Sequence, residues 1–114
     1  MLSMNWIDLV SFSQLDDIIS LSADKPVVIF KHSTRCQVSS IALTRLIKAG
    51  PVNEAPFYFL DLLSHRQLSS FIAEKFQVSH ESPQLLLIKN GECVYEESHL
   101  GISAGELLEQ IKAS

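Results

Sequence analysis

A short apolar run, Val27-Val28-Ile29-Phe30, constrains this chain more than any other stretch. It does not alternate apolar with polar residues, so neither face of the strand it predicts is suited to water. Such a strand belongs in the middle of a sheet with helices covering both faces. The chain has 114 residues, the length of one domain, and 46% of them are hydrophobic, enough to supply that cover. On leaving the run, the chain passes through a polar turn, Lys31-His32-Ser33-Thr34-Arg35, and reaches Cys36 at what reads as the start of a helix.

A cysteine in that position is predicted to be reactive. The first turn of a helix carries backbone N–H groups without intrahelical partners, and its dipole favours negative charge. Both effects stabilise the thiolate, which is the nucleophilic form. Lys31, His32 and Arg35 add cationic side chains on the same turn. The second cysteine, Cys93, lies in the strand-like Gly91-Glu92-Cys93-Val94-Tyr95, where alternation puts Cys93 and Tyr95 on one face. It is read as a small packed side chain.

Around this centre the chain alternates. Trp6-Ile7-Asp8-Leu9-Val10 opens it, with Trp6 as a core anchor. Ser13 and Asp16 give a capping-type start to a short helix ended by Asp24-Lys25-Pro26. The helix from Cys36 carries a stripe of Val38, Ile41, Ala42, Leu46 and Ala49, and Gly50-Pro51 ends it. Pro56 to Asp61 is the second strand. Ser64 to Gln67 matches a capping box, before a helix striped by Leu68, Phe71, Ile72 and Phe76. Leu85 to Ile88 is the third strand, and Asn90-Gly91 turns it into a partner at Glu92 to Glu96. Ser103 to Glu106 opens a last helix burying Leu107, Leu108 and Ile111.

Strand, helix, strand predicts a parallel pair with a right-handed crossover. Joined through a helix to a hairpin and a closing helix, it resembles the thioredoxin-like arrangement: one α/β domain over residues 1–114, with a central, mixed, four-stranded sheet flanked by helices. In that arrangement a cis proline stands just before the third core strand, and Ser82-Pro83 occupies the place; taken alone Pro83 reads equally as a trans proline at the start of a strand, and Cys36 upstream favours cis. Cis X–Pro bonds are a minority that tertiary structure must select. Their use here is to expose the backbone of the preceding residue to an extended thiol substrate.

The residues also resemble a particular family. Lys31-His32-Ser33-Thr34-Arg35-Cys36 with Ser39 three further on, His80-Glu81-Ser82-Pro83-Gln84 and Asn90-Gly91-Glu92 are similar to the YtxJ-like monothiol bacilliredoxins of bacillithiol-using bacteria. The similarity runs from about Trp6 onward. It implies a cytoplasmic thiol–disulfide oxidoreductase that removes bacillithiol from mixed disulfides on client proteins, with bacillithiol as thiol co-substrate and no other cofactor required. One position departs from the family pattern: Gln37 follows the cysteine where the family has proline. Proline there is preorganised for the first helical turn.

On this reading Cys36 is the nucleophile. Ser39 stands where a dithiol enzyme carries its resolving cysteine; a hydroxyl cannot form a disulfide, but it can donate to the Cys36 sulfur. The Cys36 adduct must then be cleared by a second, low-molecular-weight thiol or by another reductase. Bacillithiol carries carboxylates, which Lys31, His32 and Arg35 are placed to meet. Thr34 joins the turn, and Ser82 with Pro83 completes the substrate-binding set. For Lys31 and Arg35 the alternative is free solvation, and for His32 a structural hydrogen bond or the tuning of Cys36. His80 is a loop residue, and His65 and His99 are surface residues.

Other functions are disfavoured by the sequence. A net charge of -4 argues against general nucleic-acid binding. No apolar run approaches the roughly 20 residues of a membrane helix, and the N-terminus lacks the basic and apolar regions of a signal peptide. There is no paired Cys-x-x-Cys for zinc and no glycine in the turn for phosphate. Two alternatives remain: an iron–sulfur cluster carrier of the monothiol glutaredoxin type, against which Gln37-Val38 speaks, and a non-catalytic interaction protein.

Overall fold

The computed structural model describes residues 6–49 and 55–114. Its elements are β1 (Trp6–Asp8), α1 (Ser13–Leu21), β2 (Val27–His32), α2 (Gln37–Lys48), β3 (Phe57–Asp61), α3 (Arg66–Phe76), β4 (Gln84–Lys89), β5 (Glu92–Ser98) and α4 (Ala104–Ala113), with a 3-10 turn at His99–Gly101. The expected end of α2 at Gly50-Pro51 lies outside the described residues.

The strands form one mixed sheet in the order β1-β3-β2-β4-β5. β2 runs parallel to β3 and antiparallel to β4, so it is the middle strand. The sheet has five strands rather than the expected four. The extra strand is Trp6–Asp8, which pairs in parallel with β3. Three residues are too short for a periodicity to show, and only pairing with β3 makes them a strand. Trp6 anchors this edge by packing on Phe30, Phe57 and Phe59 with ring centroids 5.1–5.8 Å apart.

Two cores sandwich the sheet. Val28, Phe30, Phe57, Leu85 and Leu87 face α2 and α4 through Ala42, Leu46, Leu107 and Ile111. Val27, Ile29, Tyr58, Leu60, Leu86 and Ile88 face α1 and α3 through Leu15, Ile18, Leu68, Ile72 and Phe76. The burial of β2 on both faces, predicted for Val27 to Phe30, extends through Lys31 and His32. Three stripe residues behave otherwise: Ile41 and Ala49 are exposed, and Phe71 is exposed with its edge on Phe12.

The caps divide. Ser103 accepts from the Glu106 N–H at 3.0 Å, as a capping box requires. At α1 the cap is Phe12, without a side-chain bond, and Gln14 Oε1 instead takes the Val10 and Ser11 N–H groups. At α3 the Ser64 hydroxyl turns back to Asp61 Oδ2, and His65 is the cap residue.

Asn90 and Gly91 both take positive φ, 54° and 75°, as the two-residue hairpin turn requires. A bulge then shifts the β4–β5 register between Leu87 and Ile88, which pair with Tyr95 and Cys93. The extra residue sends Cys93 to the α1/α3 side and Tyr95 to the α2/α4 side, so the expected common face is not formed.

Candidate active site

The C-terminal ends of β2 and β3 and the entry to β4 meet at one end of the sheet. His32 pairs with Asp61 in the parallel register. Lys31 pairs with Gln84 in the antiparallel one, and continuing that register brings Pro83 opposite His32. Two motifs some fifty residues apart are thereby joined: the turn carrying Cys36 and the segment carrying Ser82-Pro83, whose peptide bond is cis.

Cys36 is the N-cap residue of α2, with extended backbone (φ -105°, ψ 119°). Its N–H donates to Ser33 O at 3.2 Å, and its C=O accepts the Ser40 N–H at 3.1 Å. The thiol is free and half-buried, and Thr34 and Arg35 beside it are exposed. The cysteine therefore stands partly exposed at the start of α2, the end of a helix whose first amides have no intrahelical partners.

Ser39 is three residues on and wholly buried. Its Oγ accepts the Ser33 N–H at 3.0 Å and lies 2.6 Å from His32 Nδ1. The expected bond from this hydroxyl to the Cys36 sulfur is not formed: among the described residues its partners are Ser33 and His32. The reason is geometric. The hydroxyl points inward beneath the turn, where a backbone donor and a ring nitrogen would otherwise be unpaired.

His32 and Lys31 also differ from expectation. Both were candidates to meet a substrate carboxylate, and both are buried, because β2 is covered on both faces beyond Phe30. Side chains alternate along a strand, so the two residues face opposite sides of the sheet. His32 turns toward α2, with its ring 5.5 Å from that of Phe59. Burial holds its pKa below the ordinary 6.5, and the Asp61 carboxylate opposes this. Lys31 points toward α3, where its ammonium donates to Ser69 O at 3.1 Å. Burial lowers its pKa from 10.5 to about 8. Arg35 is left as the exposed cation of the turn.

On the proline side, Ser82 is half-buried with its hydroxyl unpartnered among the described residues, and Pro83 is buried. Gln84 Nε2 holds the preceding loop by donating to Ser79 O at 2.9 Å. His99 is exposed, as the sequence suggests, and it also braces the same segment. Its N–H donates to Pro83 O at 3.0 Å, and its ring lies 3.2 Å from Glu81 Oε1. It does so with a φ of 57°, unusual for a residue with a side chain. No local pattern marks His99, since its partners lie on another strand's approach. His80 is exposed, and its pKa is lowered by partial burial and by the nearby Lys31 charge, against a contrary pull from Glu81.

Cys93 has none of this setting. Its thiol donates to Tyr95 O at 3.3 Å. Burial raises its pKa, with smaller opposing contributions from hydrogen bonds to the Tyr95 and Leu87 backbone.

Comparison with known proteins agrees with this geometry. A solved structure of a protein assigned as an oxidoreductase with a thioredoxin fold superposes with a TM-score of 0.75 at 32% identity, covering 94% of this chain and 93% of that one. A thioredoxin from Malassezia sympodialis gives 0.73 at 18% identity, covering 96% and 90%. One from Schistosoma mansoni gives 0.71 at 22%, covering 95% and 94%. The last two are similar in fold alone. The sequence model of the monothiol bacilliredoxin BrxC family matches residues 7–107. With a thioredoxin fold, a free cysteine capping the helix after the central strand and a serine one turn beyond it, the chain belongs to the monothiol bacilliredoxin family.

Proposed function

We propose that this protein removes bacillithiol from mixed disulfides on client proteins, with Cys36 as the nucleophile. The observation that carries this reading is the position of Cys36: a free, partly exposed thiol at the N-cap of α2, on the turn that leaves β2 at the end where β2 meets the proline-led start of β4. Family membership makes the chemistry thiol redox exchange.

The exchange runs in two displacements. The Cys36 thiolate attacks the bacillithiol sulfur of the mixed disulfide. The Cys36–bacillithiol S–S bond forms, the client S–S bond breaks, and the client leaves as a thiolate that takes a proton from water. A low-molecular-weight thiolate then attacks the bacillithiol sulfur on Cys36 and restores it, leaving a small-molecule disulfide. No cysteine of the chain can perform this second step: Ser39 holds the near position, and Cys93 is level with Val27, at the far end of the sheet from Cys36. Arg35, exposed beside the sulfur, is the side chain placed to pair with a carboxylate of the small thiol.

Pre-reduced protein mixed with a bacillithiolated client in the absence of other thiols is expected to release one client thiol per chain and to gain the mass of bacillithiol on Cys36. Release by a Cys36→Ala variant, or no release by the native chain, would reject the reading.

A further inference from the structure

The buried partners of Ser39 bear on the nucleophile. Cys36 is the N-cap of α2 and Ser39 its third helical residue. Those two positions adjoin in space, which is why a capping box links them. Here the Ser39 hydroxyl reaches past the cap residue to the Ser33 N–H, closing a seven-residue ring of chain with Cys36 at its middle. His32 Nδ1 approaches the same oxygen at 2.6 Å. The side chains of His32, Ser33 and Ser39 are all buried, so water does not substitute for these bonds.

A hydroxyl has one proton and two lone pairs. The Ser33 N–H occupies one lone pair. If His32 Nδ1 carries no proton, it accepts the Ser39 proton, and the hydroxyl has nothing left to donate. If Nδ1 carries a proton, it donates to the second lone pair, and the Ser39 proton must turn to another acceptor. The anionic acceptor on the same turn would be a Cys36 thiolate, at the cap three residues back.

We propose that His32 is a positioning residue for Cys36: by its protonation it decides whether the Ser39 hydroxyl is held back from the sulfur or offered to it. This deepens the reading of Cys36 as nucleophile and rests on it. The groups that bear on His32 are the Asp61 carboxylate from β3, the rings of Phe30 and Phe59, and the Ser39 hydroxyl from α2. Lys31 and its neighbour Gln84 lie on the opposite face of the sheet. Asp61 is itself tied down by the Leu63 N–H at 3.1 Å and the Ser64 hydroxyl at 3.2 Å.

The test is the alkylation rate of Cys36 by iodoacetamide in the reduced full-length chain as a function of pH, read by mass spectrometry of the Cys36 peptide. A thiol ionising alone loses rate tenfold per pH unit on its acid side. Below the ordinary histidine range the native chain is expected to keep a shoulder, roughly threefold or more above that line, because the donated hydroxyl holds the thiolate. His32→Gln bonds Ser39 but does not titrate, and should lose the shoulder. Ser39→Ala leaves His32 titrating but cuts the relay, and should lose it too. His80→Gln should retain it.

A native profile without a shoulder, or a shoulder surviving in His32→Gln or Ser39→Ala, would overturn the proposal. A second measurement needs no variant of the buried cluster. The nitrogen chemical shifts of His32 give its tautomer and midpoint, and alkylating Cys36 should move that midpoint; an unchanged midpoint would also overturn it. Neither readout uses bacillithiol, so failure of client release at a fixed pH is a separate outcome.

Discussion

Lys31 is the residue whose position is hardest to reconcile with its chemistry. An ammonium whose hydrogen-bond partner among the described residues is Ser69 O stands beside the buried Gln84, at the edge of an apolar layer. The unfolded chain holds this proton up to about its ordinary 10.5, the folded chain only to about 8. Between those values the unfolded state binds more protons, so stability rises with pH across that window, and the full penalty is felt below it. A shift of that size corresponds to roughly 3 kcal/mol. Lys31→Met, which keeps the length and removes the charge, is therefore expected to raise stability at pH 7 by up to about that amount. It should also flatten the rise above pH 8. Chemical denaturation of both proteins at pH 7 and pH 10.5 checks this; equal slopes against pH would contradict the assignment. By its sequence context alone, a lysine in a turn looks solvated. What hides it is that β2 runs two residues past its apolar run, a fact of pairing with β3 and β4 rather than of hydropathy.

Among the elements, those with short-range causes were legible. The continuous apolar run gave β2, the spacing of Ala42 and Leu46 gave the buried side of α2, and Ser103 gave a true cap. Elements or contacts made only by distant partners were not: β1 exists through β3, and the bracing of Pro83 comes from His99. The β4–β5 hairpin lies between these cases. Its turn follows from Asn90-Gly91, but its seating depends on Ser22, which ends α1. Ser22 O accepts the Asn90 N–H at 2.7 Å, and its hydroxyl accepts the Gly91 N–H at 2.9 Å. A Cβ at Gly91 would find Ile19 at an ordinary 3.6 Å, so the obstacle to a side chain there is the φ of 75° and not crowding. Gly91→Ala should consequently cost about 1–2 kcal/mol in thermal or denaturant unfolding while leaving Cys36 alkylation unchanged. A larger loss would mean that the turn had shifted off Ser22.

For the molecule as a whole, the site is a joint between two halves. The turn after β2 brings the sulfur, and the approach to β4 brings Ser82 and Pro83. The identity of the joined residues could be read from sequence, because each motif announces itself. Their interior geometry could not, since it depends on which side chains fill the space under the turn: Ser39 was expected at the sulfur and is found on His32. The outer strands are guarded as well. β1 has only three residues, and β5 carries Glu92, Glu96 and Glu97, which discourages pairing with another sheet edge. The two cysteines should separate cleanly in a labelling experiment. At neutral pH a limiting alkylating reagent is expected to modify Cys36 first, and Cys93 at a comparable rate only after unfolding. Equal rates in the native protein would contradict the half-buried, raised-pKa setting of Cys93.

The placing of Cys93 along the sheet has a kinetic consequence. Ile88 pairs with both Val27 and Cys93, so the second thiol stands level with the start of β2, at the opposite end of the sheet from Cys36, and a loaded Cys36 has no internal route to discharge. Recovery then has to be a collision with something dissolved. Its speed should climb in proportion to the free thiol around the protein, and the redox state of the surroundings would set the pace of each cycle.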